Sequence, residues 1–199
     1  MTRPITEHTG QLFVHYSQFL VQEEAGSVTE DLPLGDNGLV EAGEGRLTVH
    51  TGIHTGDIEV TLRAYGTEPE AELAGFEEVV EVSVTSPSGN LTVGELMTDP
   101  GAFPSLAPQG PGSYRLRFHA RGRDTAPDEA PEHVVEWYLI QSWPAPPAPP
   151  QALALNDACG AELREASSGQ EITRTVPVAE NSGLAAIRAR QARLEQEGD

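Results

Sequence analysis

Apolar residues in the first 143 positions recur mostly at every second residue, in runs too short for helices and separated by turns bearing Gly and Pro. Such a pattern sends alternate side chains to opposite faces of a strand, so the chain has to build a sheet. From Leu12 to Val21 apolar residues fall on both phases, which predicts one strand with both faces partly covered. Arg46–His50 is shorter and alternates cleanly, and Asp57–Ala64 turns Ile58, Val60, Leu62 and Ala64 inward with acids, Thr61 and Arg63 outward. Val80, Val82 and Val84 alternate with Glu81, Ser83 and Thr85, and Ser86-Pro87-Ser88-Gly89-Asn90 turns the chain into Leu91–Val93 as a hairpin. In Tyr114–Arg121, Tyr114, Leu116 and Phe118 share one face while Arg115, Arg117, His119 and Arg121 share the other. His133–Trp143 closes the series. At least seven short strands and no long helix before residue 150 predict a mainly β fold, an antiparallel β-sandwich.

Pro144 to Pro150 reads Pro-Ala-Pro-Pro-Ala-Pro-Pro, which continues neither strand nor helix and predicts an extended, semi-rigid spacer. The expected organisation is an acidic β-sandwich domain over 1–143, the Pro-rich spacer over 144–150 and a C-terminal extension over 151–199. Short helices are expected at Asp157–Ala166 and, with a thin stripe of Leu184, Ile187, Gln191 and Leu194, at Ser182–Glu195.

Charge narrows the function. The 199 residues hold 31 acids against 12 bases, every base an arginine, for a net of -19. Residues 1–143 hold 23 of the acids and 7 of the arginines, so the imbalance belongs to the strand-rich part. Glu23 to Glu44 and Glu68 to Glu81 are acidic segments without a base, and Asp124 to Glu136 is the third dense stretch. A surface of this sign repels nucleic-acid phosphates and anionic lipid, so no direct binding to nucleic acid is expected. No apolar run reaches the roughly 18 residues a membrane helix requires, the N-terminus has no secretory h-region, and a lone Cys159 fits a reducing cytoplasm.

The groups able to do chemistry are sparse. His50 and His54 have a metal-ligand spacing, but i,i+4 brings imidazoles together only on a helix, and Thr51-Gly52 reads as strand-to-turn. His15 and His119 would need a carboxylate nearby to form an acid–base pair. Ser17 and Ser113 lack a nucleophile elbow, the Gly-rich patches lack a phosphate-binding lysine, and Cys159 reads as an incidental thiol. Gly35-Asp36-Asn37-Gly38 is only a fragment of a calcium loop. No metal and no cofactor is expected. Arg115, Arg117, Arg121 and Arg123 form the one positive island. Cross-strand pairing with Glu59, Glu81 or Glu136 is its structural reading, and an anion site at Arg115, Arg117 and Arg121 its functional one.

Three stretches resemble the competence protein J family, small nuclease inhibitors of Bacillus-type bacteria: Val14-His15-Tyr16-Ser17-Gln18-Phe19-Leu20-Val21, Gly43-Glu44-Gly45-Arg46-Leu47-Thr48-Val49, and Pro111-Gly112-Ser113-Tyr114-Arg115-Leu116-Arg117. Their order and spacing agree over about residues 11–143, with the Pro-rich stretch and the extension outside. The resemblance implies a cytoplasmic, non-catalytic sandwich that binds and inhibits a nuclease. The expected function is therefore occlusion of a basic groove on a protein partner, through carboxylates of Glu23, Glu24, Glu30, Asp31, Glu68, Glu70, Glu72, Glu77, Glu78 and Glu81. The alternative is a sandwich that binds a small anion or sugar through Trp137, Tyr138, Trp143 and the arginine island.

Overall fold

In the computed structural model, which describes residues 2–23, 37–43, 46–95 and 103–168, the run predicted as one strand from Leu12 to Val21 is two. β1 (Thr6–His15) and β2 (Gln18–Glu23) are joined by a tight reversal in which Tyr16 and Ser17 take φ of 56° and 54°. Both central residues of such a turn need positive φ, usually supplied by Gly, Asn or Asp. Here neighbouring backbone holds them. Ser17 N–H donates to the His54 carbonyl at 3.0 Å, and Thr51 N–H donates to the Ser17 carbonyl at 2.9 Å.

β3 (Val40–Gly43), β4 (Arg46–His50), β5 (Thr55–Ala64), β6 (Glu78–Ser86), β7 (Leu91–Gly94), β8 (Gly112–Arg121), β9 (Trp137–Pro144) and β10 (Gln151–Leu155) complete the strands, and α1 (Ala158–Ser168) is a short helix. The fold is mainly β, as expected, but the two antiparallel layers of a sandwich are not what the pairing gives. The strands form one continuous sheet in the order β10-β6-β8-β9-β5-β1-β2-β4-β3, with β7 attached to β2. One pair, β5 with β9, is parallel, because the long loop after β8 returns the chain beside β5 in the same direction. Val21 and Leu47 near one end of the sheet join Val82, Leu116 and Ile140 near the other in a single buried cluster, so the sheet curls around one core. Full burial of each such side chain is worth about 1.5–3 kcal/mol.

The face of β6 and β8 opposite this core is charged yet buried, because loops cover it. Arg115 donates to the carbonyls of Ala148 at 3.0 Å and Pro149 at 2.9 Å, and Arg117 donates to the Pro69 carbonyl at 3.2 Å. Proline-rich backbone offers carbonyl acceptors with few competing N–H donors, which suits it to lie on guanidinium groups. The stretch expected as a spacer therefore runs along the sheet. β10 then pairs antiparallel with β6, and α1 matches the helix expected at Asp157–Ala166. The helix expected at Ser182–Glu195 lies outside the described residues.

Candidate functional site

The carboxylates expected to meet a partner divide sharply. Glu24, Glu30 and Asp31 lie outside the described residues. Glu68, Glu70, Glu72 and Glu77 are exposed, on or beside the loop between β5 and β6. Glu23, Glu78 and Glu81 point inward, and here the expectation is corrected. Glu81 accepts Arg117 Nε at 2.6 Å and Arg115 Nε at 3.2 Å, with both arginines buried. Glu23 accepts the Ser86 hydroxyl at 2.6 Å and the Ser88 amide at 2.8 Å. Glu78 is fully buried against Arg164 and accepts the Asp157 amide at 3.3 Å. A carboxylate committed to buried donors does not reach a partner's surface.

The same geometry corrects the anion site. Arg115 and Arg117 are consumed by Glu81, Ser83, Gln141 and backbone carbonyls. Arg121 is exposed and stacks over Trp137, 4.7 Å from the ring centre. The small cavity beside it, about 170 Å³, also holds Glu59 and Glu72, which disfavour an anion. Of the alternative's aromatics, Tyr138 and Trp143 are buried in the sheet. Arg123, the fourth of the island, is fully buried and gives Asp157 two bonds of 2.7 and 2.8 Å, with further bonds to the carbonyls of Gly38 and His50. Arg63 pairs with Glu72 and Glu7. Among the described arginines only Arg3 and Arg121 are exposed, whereas exposed acids occur throughout. Among the described residues most arginines are withdrawn from solvent while many carboxylates are left outside.

The Arg123–Asp157 pair helps to position a concavity beside α1. Asp157 caps α1 by accepting the Gly160 amide at 2.7 Å, and Asp124 accepts those of Ala158 and Cys159 at 2.8 and 2.9 Å. Glu136, fully buried, accepts Ile53 N–H at 2.6 Å, Gly52 N–H at 3.2 Å and the Tyr138 hydroxyl at 2.6 Å, which fixes the β4–β5 loop. Burial pushes the Glu136 carboxyl up, and these donors partly offset it. Gly52 is required: a Cβ there would sit 1.9 Å from the Arg123 carbonyl oxygen. Between these loops and α1 lies a cleft of about 450 Å³, floored by Thr51, Gly52, Cys159 and Leu163 and rimmed by Ser17, Asp124, Asp128 and Glu162. Tyr16, Ser17 and Asp128 (φ 59°) are the non-glycine residues of positive φ among the described residues, and all three lie at or beside this cleft. Such conformations cost on the order of 1–3 kcal/mol and persist only where surroundings enforce them. Asp128 N–H donates to the Gly52 carbonyl at 2.8 Å.

The histidines do not converge. His50 reaches Glu41 at 3.3 Å, His54 contacts Thr55, and His15 and His54 flank the exposed Tyr16 ring. His119 is fully buried and donates from Nδ1 to the Leu139 carbonyl; burial lowers its pKa to about 4. Burial pushes the Cys159 thiol up, away from a reactive thiolate. Among the described residues no group of three His, Cys, Asp or Glu is arranged to hold a metal, and no helix is long and apolar enough to cross a membrane.

No protein-family model matches the chain, and no curated protein matches it. Two solved structures are similar to it at a distance. The crystal structure of ComJ, inhibitor of the DNA degrading activity of NucA, from Bacillus subtilis, has a TM-score of 0.49 and 16% identity, covering 73% of this chain and 99% of that one. The structure titled crocagin biosynthetic gene J has a TM-score of 0.44 and 15% identity, covering 71% and 100%.

Sequence reasoning missed the cleft because its parts come from four separated segments. The stretch Asp124 to Glu136 signalled a dense acidic run, but only its bonds to Gly52 and His54 show that it meets the β4–β5 loop, and only Asp124's bonds to the Ala158 and Cys159 amides show that it borders α1.

Proposed function

We propose that the protein is a non-catalytic binding module that engages a basic protein partner, a nuclease, and blocks its groove with surface carboxylates. The observation that carries this reading is the sorting of charge: arginines are spent inside on Glu81, Asp157 and Glu78, while Glu68, Glu70, Asp128, Glu129, Glu132 and Glu162 face solvent. Exposed carboxylates held on ordered loops occupy positions that phosphates would take on a nuclease, and they steer association. The resemblance of the three sequence stretches to the competence protein J family supports the choice of a nuclease. The acid-rimmed cleft beside α1 is one part of this surface with room for an arginine or lysine side chain and an apolar floor for its alkyl stem.

The test is capture on the immobilised full chain from a lysate of the native host, followed by assay of the eluted partner on DNA. The expected outcome is a basic nuclease whose DNA degradation falls when the free chain is added and whose affinity drops steeply as salt is raised. Capture of a nuclease that remains fully active when bound, or whose affinity ignores salt, overturns the reading.

A further inference from the structure

We infer that β10 is a self-association edge, at which two copies of this chain pair antiparallel and join their sheets. β10 ends the sheet order, so its outer row of N–H and C=O groups has no strand beside it among the described residues. An unpaired strand edge recognises one chemistry, another extended backbone. Exposed edges are usually protected by charge, by proline or by a covering element. Gln151-Ala152-Leu153-Ala154-Leu155 contains neither charge nor proline, and Leu153 and Leu155 remain 36% and 41% exposed. The register shift between Ala152 and Ala154 is the one irregularity that blunts it.

Charge selects the second copy as occupant. A two-fold interface sets each surface patch against itself, so on a chain of net charge -19 most patches would oppose acid to acid. From Trp137 to Asn156 the sequence holds no charged residue, and β10 lies inside that run. Antiparallel self-pairing centred on Leu153 places Ala152 across from Ala154 and Gln151 across from Leu155, with no like charges opposed. The opposite edge of the sheet, β3, carries the exposed Glu41 and lacks this property. A five-residue edge is short against the roughly 1,600 Å² of a standard stable interface, so the dimer is reversible and concentration-dependent.

Salt gives it a signature opposite to that of the partner surface. Screening relieves repulsion between two acidic bodies, so self-association strengthens as salt rises, whereas binding to a basic partner weakens. The two readings therefore fail separately.

The experiment is sedimentation equilibrium of the full chain across concentration and salt, alongside Leu153→Lys/Leu155→Lys, whose substituted side chains are solvent-exposed. The expected result is a monomer–dimer equilibrium that tightens with salt and weakens at least tenfold in the double variant. A monomer at every concentration, or a dimer indifferent to the double substitution, overturns the proposal. Should the variant misfold, hydrogen exchange in the unaltered chain decides, read only at the β10 amides that point away from β6, since the inward ones are bonded to β6 at every concentration. Protection that grows with concentration supports pairing between copies, and protection independent of concentration shows an edge covered within one chain and overturns it.

Discussion

Two sets of carboxylates in this molecule look alike in sequence and differ in everything physical. Glu78, Glu81, Glu136 and Asp157 are buried and accept bonds from arginines, amides or a tyrosine; Glu68, Glu70, Asp128, Glu129, Glu132 and Glu162 stand in solvent. The first set joins β6, β8, the β4–β5 loop and α1 to one another, and the second supplies the outward field. Acidity in this chain therefore has two jobs, and a count of acids along the sequence mixes them.

The sharpest way to break the comparison is to remove one partner from an inner pair. Glu81→Leu leaves the nearly inaccessible Arg115 without a carboxylate and Arg117 with only the exposed Glu68 at 3.6 Å, and Arg123→Met strands Asp157. Each is expected to cost about 3–5 kcal/mol in urea denaturation, because an uncompensated buried charge remains. Arg123→Met combined with Asp157→Leu should recover much of that loss, since no charge is then left alone. If Glu81→Leu proves neutral, the carboxylate is not the centre of that network.

How much of this division can be read from sequence follows from what each residue's phase reveals. Alternation located β4 to β9 but neither β3 nor β10 and not the break between β1 and β2, and it placed Tyr114, Leu116 and Phe118 on the core side, where they are. The same alternation assigned Glu81, Arg115 and Arg117 to the opposite face, and there it stopped: nothing local says that the β5–β6 loop and the Pro-rich stretch cover that face. The sheet's single-layer order was hidden for a related reason, since the parallel pairing of β5 with β9 depends on where a long loop comes down. The reversal at Tyr16-Ser17 was invisible because its positive φ values are imposed by His54 and Thr51 rather than encoded by Gly or Asn. Of the carboxylates named from the sequence, the exposure of Glu68, Glu70, Glu72 and Glu77 was legible. The cleft rim, built from the β8–β9 loop and α1, required the third dimension.

A second, smaller effect sharpens the contrast through pH. Burial, reinforced by Asp157 and opposed by Arg164, raises Glu78 from 4.5 to about 7. The folded state then holds a proton that the unfolded chain has released, so stability from this group is lost as pH rises from 4.5 through 7, by about 3 kcal/mol at most. His119 runs the other way. Burial lowers it to about 4, against the pull of the Leu139 carbonyl and with Arg117 adding to the lowering and Glu72 and Glu81 opposing it. The unfolded imidazole takes up a proton first, so stability is lost as pH falls from 6.5 towards 4. Between pH 4.5 and 6.5 the two slopes oppose. Relative to the parent, Glu78→Gln should become more stable towards pH 8 and steeper in its loss on acidification, whereas His119→Gln, which keeps a donor for Leu139, should flatten that acid loss. Denaturation of each variant beside the parent at pH 4.5, 5.5, 6.5 and 8 reads the difference; parallel curves would remove these groups from the pH response.

The smallest effect on stability is expected where the effect on association is largest. Asp128→Asn, Glu129→Gln, Glu132→Gln and Glu162→Gln together remove four exposed charges, and asparagine at 128 tolerates the left-handed backbone that Asp128 adopts. Exposed charges contribute little to folding, so the quadruple variant should stay within about 1 kcal/mol of the parent. Its association rate with a basic partner should nevertheless fall by about tenfold or more at low salt and converge with the parent's at high salt, because steering acts on encounter and is screened. The inner set predicts the reverse: a Glu81 variant that still folds should associate at the parental rate. Equal losses of rate in both variants would show that the outer carboxylates hold no special position, and that net charge alone directs the encounter.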